Sequence, residues 1–296
     1  MLLVKIVSAL LLIAAGSALW VLLKRPLWVW NQAARRALKA AGLSRQTLAS
    51  AAGEQVFFVG GSGPVLLLLH GAGDHAGSWS RVAPALLTDH TLVIPDLAGH
   101  GESAPATGLI EVATVIAGLE ALLASQFPER QLTVVGNSLG AWMALVLAQR
   151  HPDRVAKVVA VNGGSLPGSG STVNLLPTTR EEARATLAAL RHPDSPAVPD
   201  IVLDDMVRQR SSSPLARFAA SAASMGAWIM GEEQLRALTT PVRLLWGEAD
   251  QLMPLDYARR LQALLADAQL IPIERCGHVP HQEAPERFLA ALRQAL

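Results

Sequence analysis

The sequence predicts an α/β fold, an open and mostly parallel sheet with helices on both faces, interrupted once by a helical insertion. Three observations carry this. Seven short runs (Val56–Val59, Val65–Leu69, Leu92–Ile94, Leu132–Val135, Val155–Val161, Val242–Trp246 and Leu270–Ile273) are near-continuously apolar, as strands covered on both faces must be. Helical patterns such as Ala141–Gln149, Tyr257–Ala266 and Pro285–Leu296 alternate with them, and such alternation builds a parallel sheet through right-handed crossovers. One connection breaks the rhythm. From Gly163 to Thr240 about 78 residues separate two strands, too long for an ordinary loop, so a small helical cap is expected there.

Composition narrows the class. A chain of 296 residues that is 51% hydrophobic is neither disordered nor collagen-like. Its single cysteine, Cys276, excludes an intrachain disulfide and a multi-cysteine zinc site, and the chemistry expected below requires no metal or organic cofactor. The net charge of +1 is unevenly spread. Lys5, Lys24, Arg25, Arg35, Arg36, Lys39 and Arg45 fall in residues 1–50 with no acidic residue among them, and the remainder of the chain is net acidic. A nucleic-acid partner would have to rest on that leader alone, and the leader reads better as lipid-facing.

Ile6 to Leu23 is an uncharged stretch of 18 residues, containing Leu10-Leu-Leu-Ile13 and Leu19-Trp-Val-Leu-Leu23. About 20 apolar residues cross a hydrocarbon core, and Lys5 and Lys24 can snorkel at its ends. Trp20, Trp28 and Trp30 crowd the far end, where amphipathic rings favour the headgroup layer. Asn31 to Gly42 forms a basic amphipathic stretch suited to anionic lipid. A cleaved signal peptide is the rival, with Gly16-Ser17-Ala18 as a small-residue cleavage site. The apolar run past Ala18 and the basic segment beyond it favour a single-pass membrane anchor. More bases follow the span than precede it, which places the body in the cytoplasm. The expected organisation is an anchor over residues 1–50, a sheet core over 51–162 and 241–296, and a cap over 163–240.

The chemistry lies at the strand ends. Gly136-Asn-Ser138-Leu-Gly140 follows an apolar strand and opens an Ala/Leu-rich helix, the setting in which G-x-S-x-G presents an exposed hydroxyl on a strained turn. A serine needs a base. His278, in Cys276-Gly-His278-Val-Pro-His281, follows the last strand and is better placed than His281. The base needs an orienting carboxylate, and Asp250 at the far side of the Trp246-Gly-Glu-Ala-Asp250 turn is preferred to Glu248 within it. The order Ser138, Asp250, His278 is that of a strand–turn–helix nucleophile fold. His70-Gly71-Ala72-Gly73 follows the Val65–Leu69 strand. Backbone N–H groups of Ala72 and Leu139 are the expected oxyanion donors, with the nucleophile helix dipole behind the latter. His70 reads as a structural tie of that loop. His75 and Trp79 on the same loop, and Met225 and Trp228 in the cap, are the expected substrate-lining residues.

These runs, together with Pro95-Asp96-Leu-Ala-Gly99-His100-Gly101-Glu-Ser103, resemble the alpha/beta-hydrolase superfamily from about residue 54 to the end, apart from most of the cap. Within it the sequence is most similar to membrane-anchored monoacylglycerol lipases, an impression that Leu176-Pro-Thr-Thr-Arg-Glu-Glu-Ala-Arg184 in the cap strengthens. The resemblance implies hydrolysis of a lipid-like ester by a serine triad, with a small-molecule substrate, a membrane contact and no obligate protein partner. Capped relatives also include small esterases and carbon–carbon bond hydrolases, and a membrane-tethered binding protein is the non-enzymatic alternative. A carboxylate-nucleophile dehalogenase or epoxide hydrolase does not fit Ser138.

Overall fold

A computed structural model describes residues 2–127, 131–168 and 171–296, and within these the side chains at positions 2–4, 9, 11, 13–15 and 18 are not described. Eight strands form one sheet: β1 (Ser44–Ser50), β2 (Gly53–Gly61), β3 (Val65–Leu69), β4 (Thr91–Pro95), β5 (Leu132–Asn137), β6 (Val155–Val161), β7 (Val242–Gly247) and β8 (Ala268–Ile273). Their order is β1-β2-β4-β3-β5-β6-β7-β8, with β1 and β2 antiparallel at one edge and the other six parallel. The seven apolar runs each fall on a strand.

Why these runs form a covered sheet is visible in β3. Val65, Leu67 and Leu69 point into one apolar cluster, while Leu66 and Leu68 point into the other. The period of two thus sends alternate side chains to opposite faces, both dry. The first face is covered by α4 (Val112–Gln126), α5 (Leu139–Arg150) and α11 (Leu255–Leu264). The second is covered by a 3-10 turn (Ala76–Arg81), α3 (Ala83–Leu86) and α13 (Pro285–Ala295).

The cap comprises α6 (Arg180–Leu190), α7 (Asp200–Gln209), α8 (Pro214–Ala219), α9 (Ala222–Met225) and α10 (Glu232–Arg236). Thr179 caps α6 by accepting the Glu182 N–H at 3.1 Å, as its side chain is suited to do. The cap's two ends meet where the Met230 N–H donates to Ser165 Oγ at 2.8 Å. Arg217 of α8 pins the cap to the neighbouring loop by donating to the carbonyls of Gly99, Pro105 and Gly108 at 3.1, 2.6 and 2.7 Å.

The amino-terminal region differs from expectation. It forms α1 (Leu2–Lys24), α2 (Pro26–Ala40) and then β1. Among the described residues no helix is long and apolar enough to cross a membrane, so the expected span from Ile6 to Leu23 is not met. Leu11, Ile13 and Ala18 of that stretch lie outside the described side chains, and Ser8, Gly16 and Ser17 interrupt the apolar positions that remain. What α1 does show is a set of exposed apolar side chains that includes Ile6, Leu10, Leu12, Leu19 and Trp20.

The second helix is not free to lie on lipid by its apolar side, because Ala34, Arg35 and Leu38 are buried against the body. Arg35 meets Asp96 at 2.8 Å, with both side chains almost fully buried. Asp205 of α7 accepts the Leu27 N–H at 3.1 Å and so caps the start of α2 from the cap side. The sheet also begins earlier than residue 51. β1 pairs with β2 from Ser44↔Val59 to Ser50↔Gly53, although its side chains are mostly exposed.

Candidate active site

The parallel strands end on one edge, and the loops leaving β3, β5, β6, β7 and β8 meet there. Ser138 joins β5 to α5 with φ 54° and ψ −113°, a left-handed conformation that costs a non-glycine residue about 1–3 kcal/mol. Close packing enforces it. A Cβ on Gly136 would lie 2.2 Å from Gly140 C, one on Gly140 would lie 2.3 Å from Leu69 O, and one on Gly163 would lie 2.4 Å from Ser138 O. Strand, turn and helix approach so closely that only glycine fits at those three positions. The Ser138 N–H donates to Val161 O at 2.9 Å, and Ser138 itself is half-buried and so reachable.

His278 and Asp250 are brought together. His278 Nδ1 donates to Asp250 Oδ2 at 2.7 Å, with both residues buried. That bond fixes the tautomer in which Nε2 carries the free lone pair. Asp250 Oδ1 accepts the Leu252 and Met253 N–H groups at 2.9 and 3.0 Å. Of the rival residues, Glu248 is exposed. His281 is fully buried, stacked on Trp79 with ring centroids 4.1 Å apart, and burial lowers its pKa to about 3.

Two residues that sequence reasoning missed hold this pair. Asn162, at the end of β6 with φ 48°, donates from Nδ2 to Asp250 Oδ2 at 2.7 Å and accepts the Gly247 N–H at 3.1 Å. Asn137, inside the G-x-S-x-G run, donates from Nδ2 to His278 O at 2.9 Å and to Val161 O at 3.2 Å. An asparagine immediately after a buried strand was the available signal for Asn162, since its short amide tolerates a left-handed backbone.

The β3 loop lies against Ser138. A Cβ on Gly71 would lie 3.3 Å from Ser138 Cβ, which places Ala72 beside the nucleophile turn, and Leu139 opens α5 directly after it. Two backbone N–H groups at a loop and a helix start are suited to a developing oxyanion. His70 ties the loop down, as expected. Its Nδ1 donates to Gly71 O at 2.8 Å, and its Nε2 accepts the Leu97 N–H at 3.0 Å.

Two substrate-lining expectations, His75 and Trp79, are corrected. His75 is buried and acts as a cap, its Nδ1 accepting the Gly77 N–H at 3.0 Å. Trp79 is 0% exposed in the cluster on the second face of the sheet, beside His281 and Phe288. Trp228 takes the Trp142 Nε1–H on its carbonyl at 2.9 Å, and its ring lies 5.9 Å from the Arg150 guanidinium. Met225 stays partly buried on the apolar cluster that also receives Ala72 and Met253. Among the described residues no group of three or more His, Cys, Asp or Glu is placed to hold a metal ion.

With the geometry in place, comparison with known proteins identifies the class. Residues 66–291 match the alpha/beta hydrolase family, and the chain belongs to it. The pimeloyl-[acyl-carrier protein] methyl ester esterase of Chromobacterium violaceum is 30% identical over 80% of this chain and 95% of its own. The 2-hydroxy-6-oxo-6-phenylhexa-2,4-dienoate hydrolase of Burkholderia cepacia is 28% identical over 77% and 86%. Among solved structures, a membrane phospholipase A described as a bacterial virulence factor superposes with a TM-score of 0.78 at 25% identity, covering 100% of this chain and 99% of its own.

Three buried histidines set a pH dependence of stability. Burial, the largest cause in each case, holds His70 well below its ordinary value, His100 at about 4 and His281 at about 3. In the unfolded chain they take up protons below about pH 6.5. Their contribution is therefore fully present above about pH 6.5 and is lost as the pH falls toward the folded values. Urea unfolding at pH 7.5 and pH 5 should show a loss with a slope of up to about 1.4 kcal/mol per pH unit per histidine, and His281→Phe should reduce that slope. Equal stability at the two pH values would contradict histidines buried in the neutral form.

Proposed function

We propose that the protein is a serine hydrolase that cleaves carboxylic esters of lipid-like substrates, of the monoacylglycerol lipase or esterase type. The observation that carries this is the Ser138 turn at φ 54° beside the 2.7 Å His278–Asp250 pair. A glycine-crowded strained serine at the edge where a histidine meets a buried carboxylate is suited to acyl transfer. Ser138 Oγ attacks the ester carbonyl as His278 Nε2 takes its proton, and Asp250 stabilises the imidazolium. The Ala72 and Leu139 N–H groups receive the oxyanion, each contributing on the order of 3 kcal/mol in such sites. His278 then protonates the leaving alcohol, and water releases the acid by the reverse path.

Thioether side chains in the cap and on the Asp250 loop support an apolar acyl chain as the substrate. Ala72, Met225 and Met253 share one apolar cluster, and thioether side chains adapt to a flexible chain. The likeness to an esterase and to a membrane phospholipase supports the same reading. A second reading, hydrolysis of a carbon–carbon bond on the same residues, is favoured by the likeness to the Burkholderia cepacia dienoate hydrolase.

A p-nitrophenyl ester series from acetyl to palmitoyl separates these. Turnover that rises with medium or long acyl chains, and that falls by at least about 10³-fold in Ser138→Ala, is expected. Activity confined to acetyl and butyryl esters would favour the small-ester or carbon–carbon reading, and equal rates in wild type and variant would overturn the enzyme reading.

We also propose that α1 holds the body at a lipid surface. Its exposed Leu10, Leu12, Leu19 and Trp20, followed by Lys24 and Arg25, support this. A truncation must stop before α2, because Leu38 and Leu43 belong to the core. Deleting residues 1–24 should leave short-ester hydrolysis intact and abolish co-flotation with anionic vesicles. A truncated protein that still floats would contradict the role of α1.

A further inference from the structure

Glu283 takes part in none of the steps above, yet its carboxylate joins two segments far apart in sequence. Oε1 accepts the His192 N–H at 2.7 Å and the Ser195 hydroxyl, both in the cap segment that follows α6. Oε2 accepts the Gly277 N–H at 2.7 Å, one residue before His278, and the Cys276 thiol at 3.6 Å. Burial, aided by this carboxylate, pushes the thiol's pKa up, so that it remains a donor.

The same two segments also share backbone hydrogen bonds. The His278 N–H donates to Leu190 O at 2.8 Å, and the Gln251 N–H, next to Asp250, donates to Ala189 O at 3.1 Å. The approach is close, since a Cβ on Gly277 would lie 2.3 Å from Leu190 O. The last turn of α6 thus grips both loops that present His278 and Asp250, and Glu283 fastens the grip from α12 (Pro280–Glu283).

We infer that Glu283 is a positioning residue that fixes His278 against Asp250 by tying Gly277 to the cap segment His192–Ser195. The inference rests on the triad reading above. It makes the cap part of the catalytic framework, because a shift of residues 189–195 moves the acid and base loops together.

The test uses the full chain with Glu283→Gln. This variant is isosteric, but its amide nitrogen must face either the Gly277 N–H or the cap donors, donor against donor. Three quantities are read: kcat and KM on a p-nitrophenyl butyrate substrate, the low-field proton resonance of the His278 Nδ1–H, and the melting temperature. We expect kcat to fall about tenfold, below the 10²-fold that a 1 Å misplacement costs, with KM within about twofold of wild type. The low-field resonance should shift or broaden. Ser195→Ala, which removes one cap donor and leaves the core untouched, should move kcat and the resonance the same way by a smaller step, and it decides the matter if Glu283→Gln does not fold.

Unchanged kcat and an unchanged resonance in a folded variant would overturn the inference, as would a kcat loss that tracks only the unfolded fraction. If Ser138→Ala retains activity, the functional reading fails, and the resonance still decides whether Glu283 orients the His278–Asp250 pair.

Discussion

The backbone at Ser138 is the constraint on which the site depends. A serine at φ 54° is stable only where its surroundings over-determine it, and here β3, β5, β6 and α5 all press on one turn. Gly136 and Gly140 let α5 cross against β5 and β3, while Gly163 lets the chain leaving β6 pass the Ser138 carbonyl. The Ser138 N–H is satisfied by Val161 O, so the strain is held without an orphaned donor. Asn162 follows β6, one of those strands, and bonds Asp250, which in turn pairs with His278.

A second, electrostatic knot holds the elements around that edge. Asp96 accepts the Ala76 N–H at 2.7 Å and the Glu102 N–H at 2.8 Å, and pairs with Arg35 of α2. A buried carboxylate is tolerable only when its lone pairs are filled in this way. Gly101, at φ 56°, passes so near that a Cβ there would lie 2.3 Å from the Asp96 carboxyl. This accounts for the Asp96-Leu-Ala-Gly99-His100-Gly101 run in physical terms. It also joins the amino-terminal helices to the body, so whatever α1 meets is mechanically linked to the sheet through Arg35 and to the cap through Asp205.

The legible parts of the fold were those where burial leaves a period in the sequence. Val65–Leu69 reads as a strand because both of its faces are dry, and Ser138, Asp250 and His278 could be singled out as candidates because each follows such a strand. β1 was not legible, since Ser-Arg-Gln-Thr-Leu-Ala-Ser is an exposed edge strand with no apolar alternation. The amphipathic pattern of α2 showed that one side would be covered, but nothing local said that the 3-10 turn and α7, and not lipid, would cover it. His75 and Trp79 were misplaced for a related reason. Both follow the Ala72 loop in sequence, yet the 3-10 turn carries Trp79 to the second face of the sheet and His75 caps that turn. The partners of Asn162 and Glu283 lie mostly far along the chain, at Asp250 and Gly247 and at His192 and Ser195, and no local pattern encodes those pairings.

The central claim is that Ser138 is a nucleophile activated by His278. The most direct measurement is stoichiometric labelling with a fluorophosphonate, followed by intact-protein mass and peptide mapping. One adduct per chain on Ser138, formed rapidly in the native protein and not after urea unfolding, is the predicted result. No adduct on the folded protein, or an adduct on another residue with Ser138 unmodified, would contradict it.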